Sequence, residues 1–453
     1  MTKVTPHARR GGFSRDRRLR ILLIAYEFPP SPSPQSLRWA YLTNRLAALG
    51  HEVHVLAPQI GGTAEGLPHP GPAVRVYRVS PGPVQAWLNW LAARRLRGSR
   101  RPYSGTSSSP PPGLAAAVDP PHLNWKGRLL ERLQGGLSWF LFPDLRAEWR
   151  RPASKALHHL LRELRPDVVV SSHEPATTLE LGREAKRMGF RWVADLGDPV
   201  LAAYTPIRWK NRSAALEAAV MREADHVVVT AAQAKKLLRA RHRRCAPITL
   251  VTQGFDEAFV GPCASLASHE VQLELLYSGR FYAFRDPLAL VQAVLSTSGV
   301  RLNIASGSVP ASVASIAKEH PRKIRLLGRV THERALSLQR GADVLVNIAN
   351  ADPSQVPGKF YEYLGAARPI LQLERPNCPD VTSHLMVRLR RGWVCSNEHD
   401  QVSLLLARLV RAKQEGALAR DIDLDPSLVQ PWSWSACAEV VADVLQDAVG
   451  SEK

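Results

Sequence analysis

Two short segments carry residue types suited to gripping a polyanion. The apolar run Leu275 to Ser278 leads into Gly279-Arg280-Phe281-Tyr282-Ala283-Phe284-Arg285-Asp286-Pro287, so two arginines stand in a loop that leaves a strand's carboxyl end. Further on, Val356-Pro357-Gly358-Lys359-Phe360-Tyr361-Glu362 reads as a Pro-Gly turn that opens a helix. The first amides of such a helix, at Gly358, Lys359 and Phe360, point outward and favour an anion. Glu362 lies one turn in, where a carboxylate can accept two hydrogen bonds from a ribose diol. Guanidinium groups, helix amides and a diol acceptor together suit a nucleotide diphosphate. Alone, the first segment also reads as an ordinary surface loop, and the second as a helix start with a favourable acidic residue.

A second set lies in the first half of the chain. His173 and Glu174 end an apolar run in Ser171-Ser172-His173-Glu174-Pro175, and Asp195 and Asp198 end another in Ala194-Asp195-Leu196-Gly197-Asp198-Pro199. These four are candidates for contacts to an acceptor or a sugar, and each also has a reading as a capping or loop-stabilising residue.

The elements that must position these residues follow a repeated rhythm. Arg20 to Tyr26 is a continuous apolar run before Pro29 and Pro30, the pattern of a strand buried on both faces. A helical spacing of Leu37, Tyr41, Leu42, Leu46 and Leu49 follows, stopped by Gly50, and Glu52 to Ala57 is the next strand. Strand, helix, glycine, strand is a βαβ unit and predicts a parallel sheet. Strands are expected again at 74–79, 167–172, 191–196, 226–230 and 248–252, with helices at 175–188, 210–224 and 231–241. After a polar connector, a second series has strands at 274–278, 301–305, 324–327, 343–348 and 369–373, with helices at 287–296, 310–320, 333–341 and 359–367. The fold class is therefore α/β, with two Rossmann-like, doubly wound parallel-sheet domains whose shared cleft is the expected ligand site.

Composition agrees and excludes other classes. A chain of 453 residues with 45% hydrophobic residues suits two domains with real cores. No apolar run approaches the roughly 20 residues needed to cross a bilayer, and the basic N-terminus lacks the apolar stretch of a secretory signal. The five cysteines are widely spaced without a CxxC pair, which argues against a disulfide framework or zinc knuckle and suits a reducing cytosol. The net charge of +20 admits three readings: nucleic acid, an anionic membrane surface or substrate, or a solvated arginine-rich surface. No zinc finger, RRM or basic-zipper signature accompanies the arginine blocks, which argues against nucleic acid.

Four segments, spread along nearly the whole chain, resemble the retaining GT-B glycosyltransferases of glycosyltransferase family 4. Leu49-Gly50-His51-Glu52-Val53-His54-Val55 resembles the family's L-x-GHEV-x-V turn. Thr252-Gln253-Gly254-Phe255-Asp256 is similar to its NGVD hinge, with Gln253 for Asn. Gly279-Arg280 with Arg285 resembles GR-x4-K, Arg285 standing where a Lys grips phosphate. Glu362 with Leu364-Gly365-Ala366-Ala367-Arg368-Pro369 resembles the second half of E-x7-E. The resemblance implies that Gly279, Arg280, Arg285, Pro357, Gly358 and Lys359 hold the donor diphosphate, Glu362 the ribose, and the backbone near Val330 the base. It implies that Arg280, Arg285 and Asp198 carry the chemistry, without a metal or other cofactor, and that His173, Glu174, Asp195 and Asp198 face the acceptor.

The sequence also departs from the family. Ser354 stands where the first glutamate of E-x7-E is expected, so that contact to the transferred sugar is either missing or supplied by Gln355 or Lys359. Ser31-Pro32-Ser33-Pro34-Gln35-Ser36 replaces the Gly-Gly that follows the first strand. The Pro-Gly-Lys variant resembles the branch that builds bacterial surface polysaccharides. Between residues 80 and 150 the rhythm breaks, and Trp87, Trp90, Trp125, Trp139 and Trp149 occur among Arg94, Arg95, Arg97, Arg100, Arg101, Lys126, Arg128 and Arg132. Tryptophan beside arginine is the pattern of an interfacial segment, or else of an insertion packed on its own domain.

The expected organisation is a basic, disordered tail (1–18), an acceptor-side domain (19–255) with the insertion (80–150), a donor domain (256–430), and a C-terminal helix (431–453) packing back on the first domain. The expected protein moves a sugar from a nucleotide diphosphate-sugar to a glycan or lipid-linked glycan, in the cytosol or on the inner face of the cell membrane. Two alternatives stay open: a nucleotide-sugar 2-epimerase on the same scaffold, and a non-catalytic basic protein that binds membrane or nucleic acid.

Overall fold

A computed structural model describes residues 17–60, 66–87, 142, 145–243, 245–261, 272–282, 285–350, 356–378 and 380–450. The greater part of the basic tail, most of the insertion with Trp90, Trp125 and Trp139, and the Ser354 and Gln355 positions lie outside the described residues. Two compact units divide the chain. One is built mainly from residues 7–251 with the C-terminal stretch from Ala438 onward, the other mainly from Thr252–Cys437.

The N-terminal unit is a seven-stranded sheet: β1 (Arg20–Ala25), β2 (Glu52–Pro58), β3 (Val74–Val79), β4 (Val168–His173), β5 (Arg191–Leu196), β6 (His226–Val229) and β7 (Ile248–Leu250). Its order is β3-β2-β1-β4-β5-β6-β7, and all the pairings are parallel. The helices are α1 (Pro34–Ala48), α2 (Arg150–Leu164), α3 (Thr177–Arg187), α4 (Lys210–Glu223) and α5 (Ala232–Arg241). Every residue of β4 is buried, as a central parallel strand covered on both faces requires. Ser33 caps α1 by accepting from the Ser36 amide, so the Ser-Pro run that replaces Gly-Gly serves as a helix start.

The C-terminal unit repeats the plan with six strands: β8 (Leu273–Ser278), β9 (Val300–Ala305), β10 (Ile324–Leu326), β11 (Val344–Ile348), β12 (Ile370–Glu374) and β13 (Gly392–Ser396). Their order, β10-β9-β8-β11-β12-β13, is again parallel throughout. Its helices are α6 (Leu288–Ser296), α7 (Ala311–Glu319), α8 (His332–Gly341), α9 (Gly358–Gly365), α10 (Val381–Leu389) and α11 (His399–Gln414), and α12 (Trp434–Gly450) ends the chain. The sequence reading has no counterpart of β13, α2, α10 or α11. β13 is an edge strand only half-buried at every position, so it lacks the apolar run that marks its neighbours.

Both orders reverse direction next to the first strand of the unit, between β1 and β4 and between β8 and β11. Loops leave the carboxyl ends of the two strands there in opposite directions and open a crevice, the usual ligand position in an open α/β sheet. Of the two readings of the insertion's tryptophans, Trp149 fits the packed one: it is fully buried and meets Tyr26 edge-on at 5.5 Å.

Candidate functional site

In the C-terminal unit the site begins with the exit from β8. Gly279 has φ +115°, a conformation that side-chain-bearing residues rarely adopt, and its N–H donates to the Ala305 carbonyl at 3.0 Å. That turn releases the chain from the sheet one residue past the buried Ser278. The Tyr277 hydroxyl then donates to the Arg280 carbonyl at 2.8 Å, and the Phe281 ring stacks on Tyr277 at 4.2 Å. The Arg285 N–H closes the loop on the Tyr282 carbonyl at 2.8 Å. The Arg285 Nη1 also reaches the Arg280 carbonyl at 3.4 Å.

The two arginines end in different environments. Arg280 is exposed. Arg285 is 7% exposed, and its Nε and Nη2 donate to the Asn350 Oδ1 at 3.0 and 2.5 Å. Asn350 lies just beyond β11, so this pair spans the crevice where the strand order reverses. The Arg285 guanidinium also stands 5.0 Å from the centre of the Tyr282 ring. The guanidinium is thereby fixed beside the crevice, in reach of an incoming anion.

α9 brings in the second segment. Pro357 precedes its first turn and Gly358 opens it, as the Pro-Gly spacing predicts. A Cβ on Gly279 would lie 3.6 Å from the Lys359 Cδ, which places Lys359 against the β8 exit. The Lys359 Nζ is buried without a hydrogen-bond partner and sits 3.6 Å above the centre of the Tyr277 ring. Burial, with Arg285 nearby and Glu362 opposing, holds its ammonium well below the usual lysine range. Burial likewise pushes the Tyr277 phenol up to about 12.

Glu362 is half-buried, and its Oε2 accepts from the Gln339 Nε2 at 3.1 Å. Gln339 in turn donates to the Ser278 Oγ at 3.1 Å, and the Ser278 N–H donates to the Tyr363 hydroxyl at 3.1 Å. This chain ties α8, α9 and the end of β8 together and fixes one edge of the carboxylate. Val330 follows β10 in a loop and packs on the cluster that contains Leu338 and Phe360. The structure therefore gathers Gly279, Arg285, Gly358, Lys359 and Glu362 around one strand exit, with Arg280 at the exposed end of it.

In the N-terminal unit, register brings three strand ends level: Ala25 pairs with Ser172, and Ser172 with Asp195. His173 is buried, and its Nδ1 lies 3.2 Å from the Asp198 carbonyl. Burial lowers its imidazole to about 4, against the pull of Asp198, so it is neutral at physiological pH. The Tyr204 hydroxyl donates to the Asp198 Oδ2 at 2.9 Å and lies 3.5 Å from the Glu174 Oε1. Burial and these two carboxylates push the Tyr204 phenol far upward.

Asp195 departs from its expected place on the acceptor side. It is 1% exposed, pairs with the equally buried Arg38 at 3.2 Å, and accepts from the Trp39 indole at 2.9 Å. Its carboxylate serves the packing of α1 on β5, leaving His173, Glu174 and Asp198 at the edge.

Several residues at these sites escape the motif reading. Asn350 and Gln339 act as neutral amides that only a contact reveals. Glu27 accepts from Ser31 and from Arg146 at 3.0 Å. Its place two residues past β1 is the signal that a strand-end search would use.

Residues 112–254 match the family model described as a glycosyl transferase 4-like domain. A sucrose-phosphate synthase from Thermosynechococcus elongatus superposes with a TM-score of 0.64 at 16% identity, covering 95% of this chain and 98% of that one. Anabaena HepE, solved in complex with UDP and glucose, gives 0.57 at 10% identity over 95% and 100%. WaaG, described as a glycosyltransferase involved in lipopolysaccharide biosynthesis, gives 0.52 at 14% identity over 93% and 95%. No curated protein sequence matches the chain. At these identities the likeness concerns the fold.

Proposed function

We propose, from the premise that this chain is a GT-B protein carrying a glycosyl transferase 4-like domain, that it is a retaining glycosyltransferase using a nucleotide diphosphate-sugar. The observation that carries this reading is the Arg285–Asn350 pair at the β8/β11 crevice, beside Lys359 and the first turn of α9. The diphosphate lies against the amides of Gly358 and Lys359 and between Arg280 and Arg285. Glu362 takes the ribose through the carboxylate oxygen that Gln339 leaves, and the backbone at Val330 meets the base. As the bond from sugar to phosphate breaks, negative charge grows on the diphosphate, and fixed cations stabilise it most at that moment. His173, Glu174 and Asp198 serve the acceptor or the transferred sugar.

The acceptor is a glycan or lipid-linked glycan of a surface polysaccharide. The Pro-Gly-Lys segment supports this, as does the fold shared with WaaG. Docking on an anionic membrane is consistent with the +20 charge and with Trp87, which is 50% exposed. A thermal-shift panel of nucleotide diphosphates and their sugars identifies the donor, because a ligand that binds the folded state raises the melting temperature. With that donor, Arg280→Ala is expected to lower turnover by about 10²–10³ while the melting temperature without donor stays put. Unimpaired transfer in this variant refutes the assignment. Donor incubated alone that returns an epimerised sugar favours the 2-epimerase instead.

A further inference from the structure

Lys359 is the one lysine among the described residues whose Nζ is buried without a hydrogen-bond partner. Its surroundings are specific. Beneath it, 3.6 Å away, is the Tyr277 ring on β8, and 5.8 Å away is the Tyr363 ring on α9. The loop after β8 supplies the Arg285 guanidinium, which repels a second positive charge, and α9 supplies Glu362, which attracts one. Tyr277 donates its hydroxyl to the Arg280 carbonyl, and the Tyr363 hydroxyl interacts with Ser278 and the Val346 carbonyl, so neither phenol is placed to take a proton from lysine. The neighbouring amides Asn350 and Gln339 are engaged with Arg285 and with Glu362. An ammonium at this place has an aromatic face and one carboxylate to offset lost hydration and the repulsion of Arg285.

We propose that Lys359 stands in the free site as a neutral amine and takes up one proton from solvent when a diphosphate enters. The inference rests on the donor reading above and deepens it: donor binding is proton-linked. On entry the diphosphate brings negative charge beside Arg285 and Lys359, the amine lone pair captures a proton, and the resulting ammonium donates to the phosphate oxygens. Release reverses the step and returns the proton to water. The advantage is physical. A free site with two adjacent buried cations would repel itself, whereas a neutral amine beside Arg285 charges only when the ligand supplies the counter-charge. The sign follows: protonation favours binding, so affinity is greatest at low pH and falls as pH rises above the titration of the free amine, by at most about tenfold per unit.

Two measurements test this on the full chain. Calorimetric titration with UDP-glucose at about pH 8, in two buffers of different ionisation enthalpy, reads net proton uptake, since the diphosphate diester is fully ionised there and the uracil N3–H titrates at higher pH. Wild type is expected to take up a proton, and Lys359→Met to bind without uptake and with little pH dependence of affinity. Binding by wild type without uptake between about pH 6 and 9 overturns the proposal. In the second, protein labelled with 13C at lysine Cε is titrated by NMR without ligand, and the resonance absent from Lys359→Met identifies the residue. It is expected to titrate well below the other lysines; titration together with them overturns the proposal whatever binds. No binding of UDP-glucose, with the low titration intact, counts against the donor reading and leaves the amine in place.

Discussion

Burial treats the charges of this protein in two ways, and residue by residue the difference decides their roles. Asp195 and Arg38 are both sealed from water and answer each other, with the Trp39 indole completing the set. Removing the carboxylate takes away the charge that the buried Arg38 faces. Asp195→Ala is therefore expected to cost about 3–5 kcal/mol of unfolding free energy, read from denaturant melts. Arg285 is nearly as buried, and its guanidinium bonds the Asn350 amide and the Arg280 carbonyl and lies over the Tyr282 ring. Asn350→Asp keeps the acceptor oxygen and adds a negative charge that competes with the diphosphate. Donor affinity measured by calorimetry is expected to fall on the order of tenfold or more, with the fold retained.

Between elements, contact distances decide which residues a position admits. α3 lies so close to β5 that a Cβ on Gly182 would come within 2.1 Å of the Trp192 indole nitrogen, which donates to the Ser171 Oγ. Gly182→Ala is expected to destabilise the N-terminal unit by about 1–3 kcal/mol, because both the helix and the indole must shift, and a thermal melt reads the loss. The GHEV turn is likewise structural. Gly50 turns at φ +91°, and the His51 Nδ1 accepts from the Leu19 N–H at 3.2 Å, so the motif anchors the start of β1. At the other end of the second half, Phe255 and Trp434 exchange backbone bonds with Trp432 and Phe255, and the Glu257 Oε1 caps the Ser435 N–H at 2.8 Å. The hinge-like Gln253-Gly254-Phe255 segment is thus tied to the start of α12.

Across the whole molecule, acid has a definite consequence. His173 and His226 are lowered from an ordinary 6.5 to about 4, mainly by burial. Between those values the unfolded chain binds protons that the folded one refuses. Their stabilisation is therefore complete above about pH 6.5 and is lost as pH falls toward 4, by roughly 3 kcal/mol for each. Urea midpoints followed by tryptophan fluorescence are expected to drop over that window, and His226→Gln is expected to flatten part of the slope.

The sequence by itself determined the class of fold and the order of its parts. Apolar runs and glycine stops mark twelve of the thirteen strand positions within a residue or two, because a parallel strand buried on both faces needs an unbroken apolar run, and that run is local. The edge strand β13 escaped for the same reason reversed: half-exposed, it needs no such run. Gly279, Arg285, Pro357, Gly358 and Glu362 stood out as candidates because loop position after a strand and helix-start chemistry are properties of short segments, and the fold gathers Gly279, Arg285, Gly358 and Glu362 at one strand exit. Tertiary structure alone decided the rest. Asp195 and Asp198 are three residues apart and alike in type, yet one faces inward to Arg38 and the other outward to Tyr204. Asn350 became a partner of Arg285 across 65 residues, and Lys359 lost its water beneath α9 and above Tyr277. Charge state and partner depend on what lies within a few ångströms in space, and only the folded chain sets those neighbours.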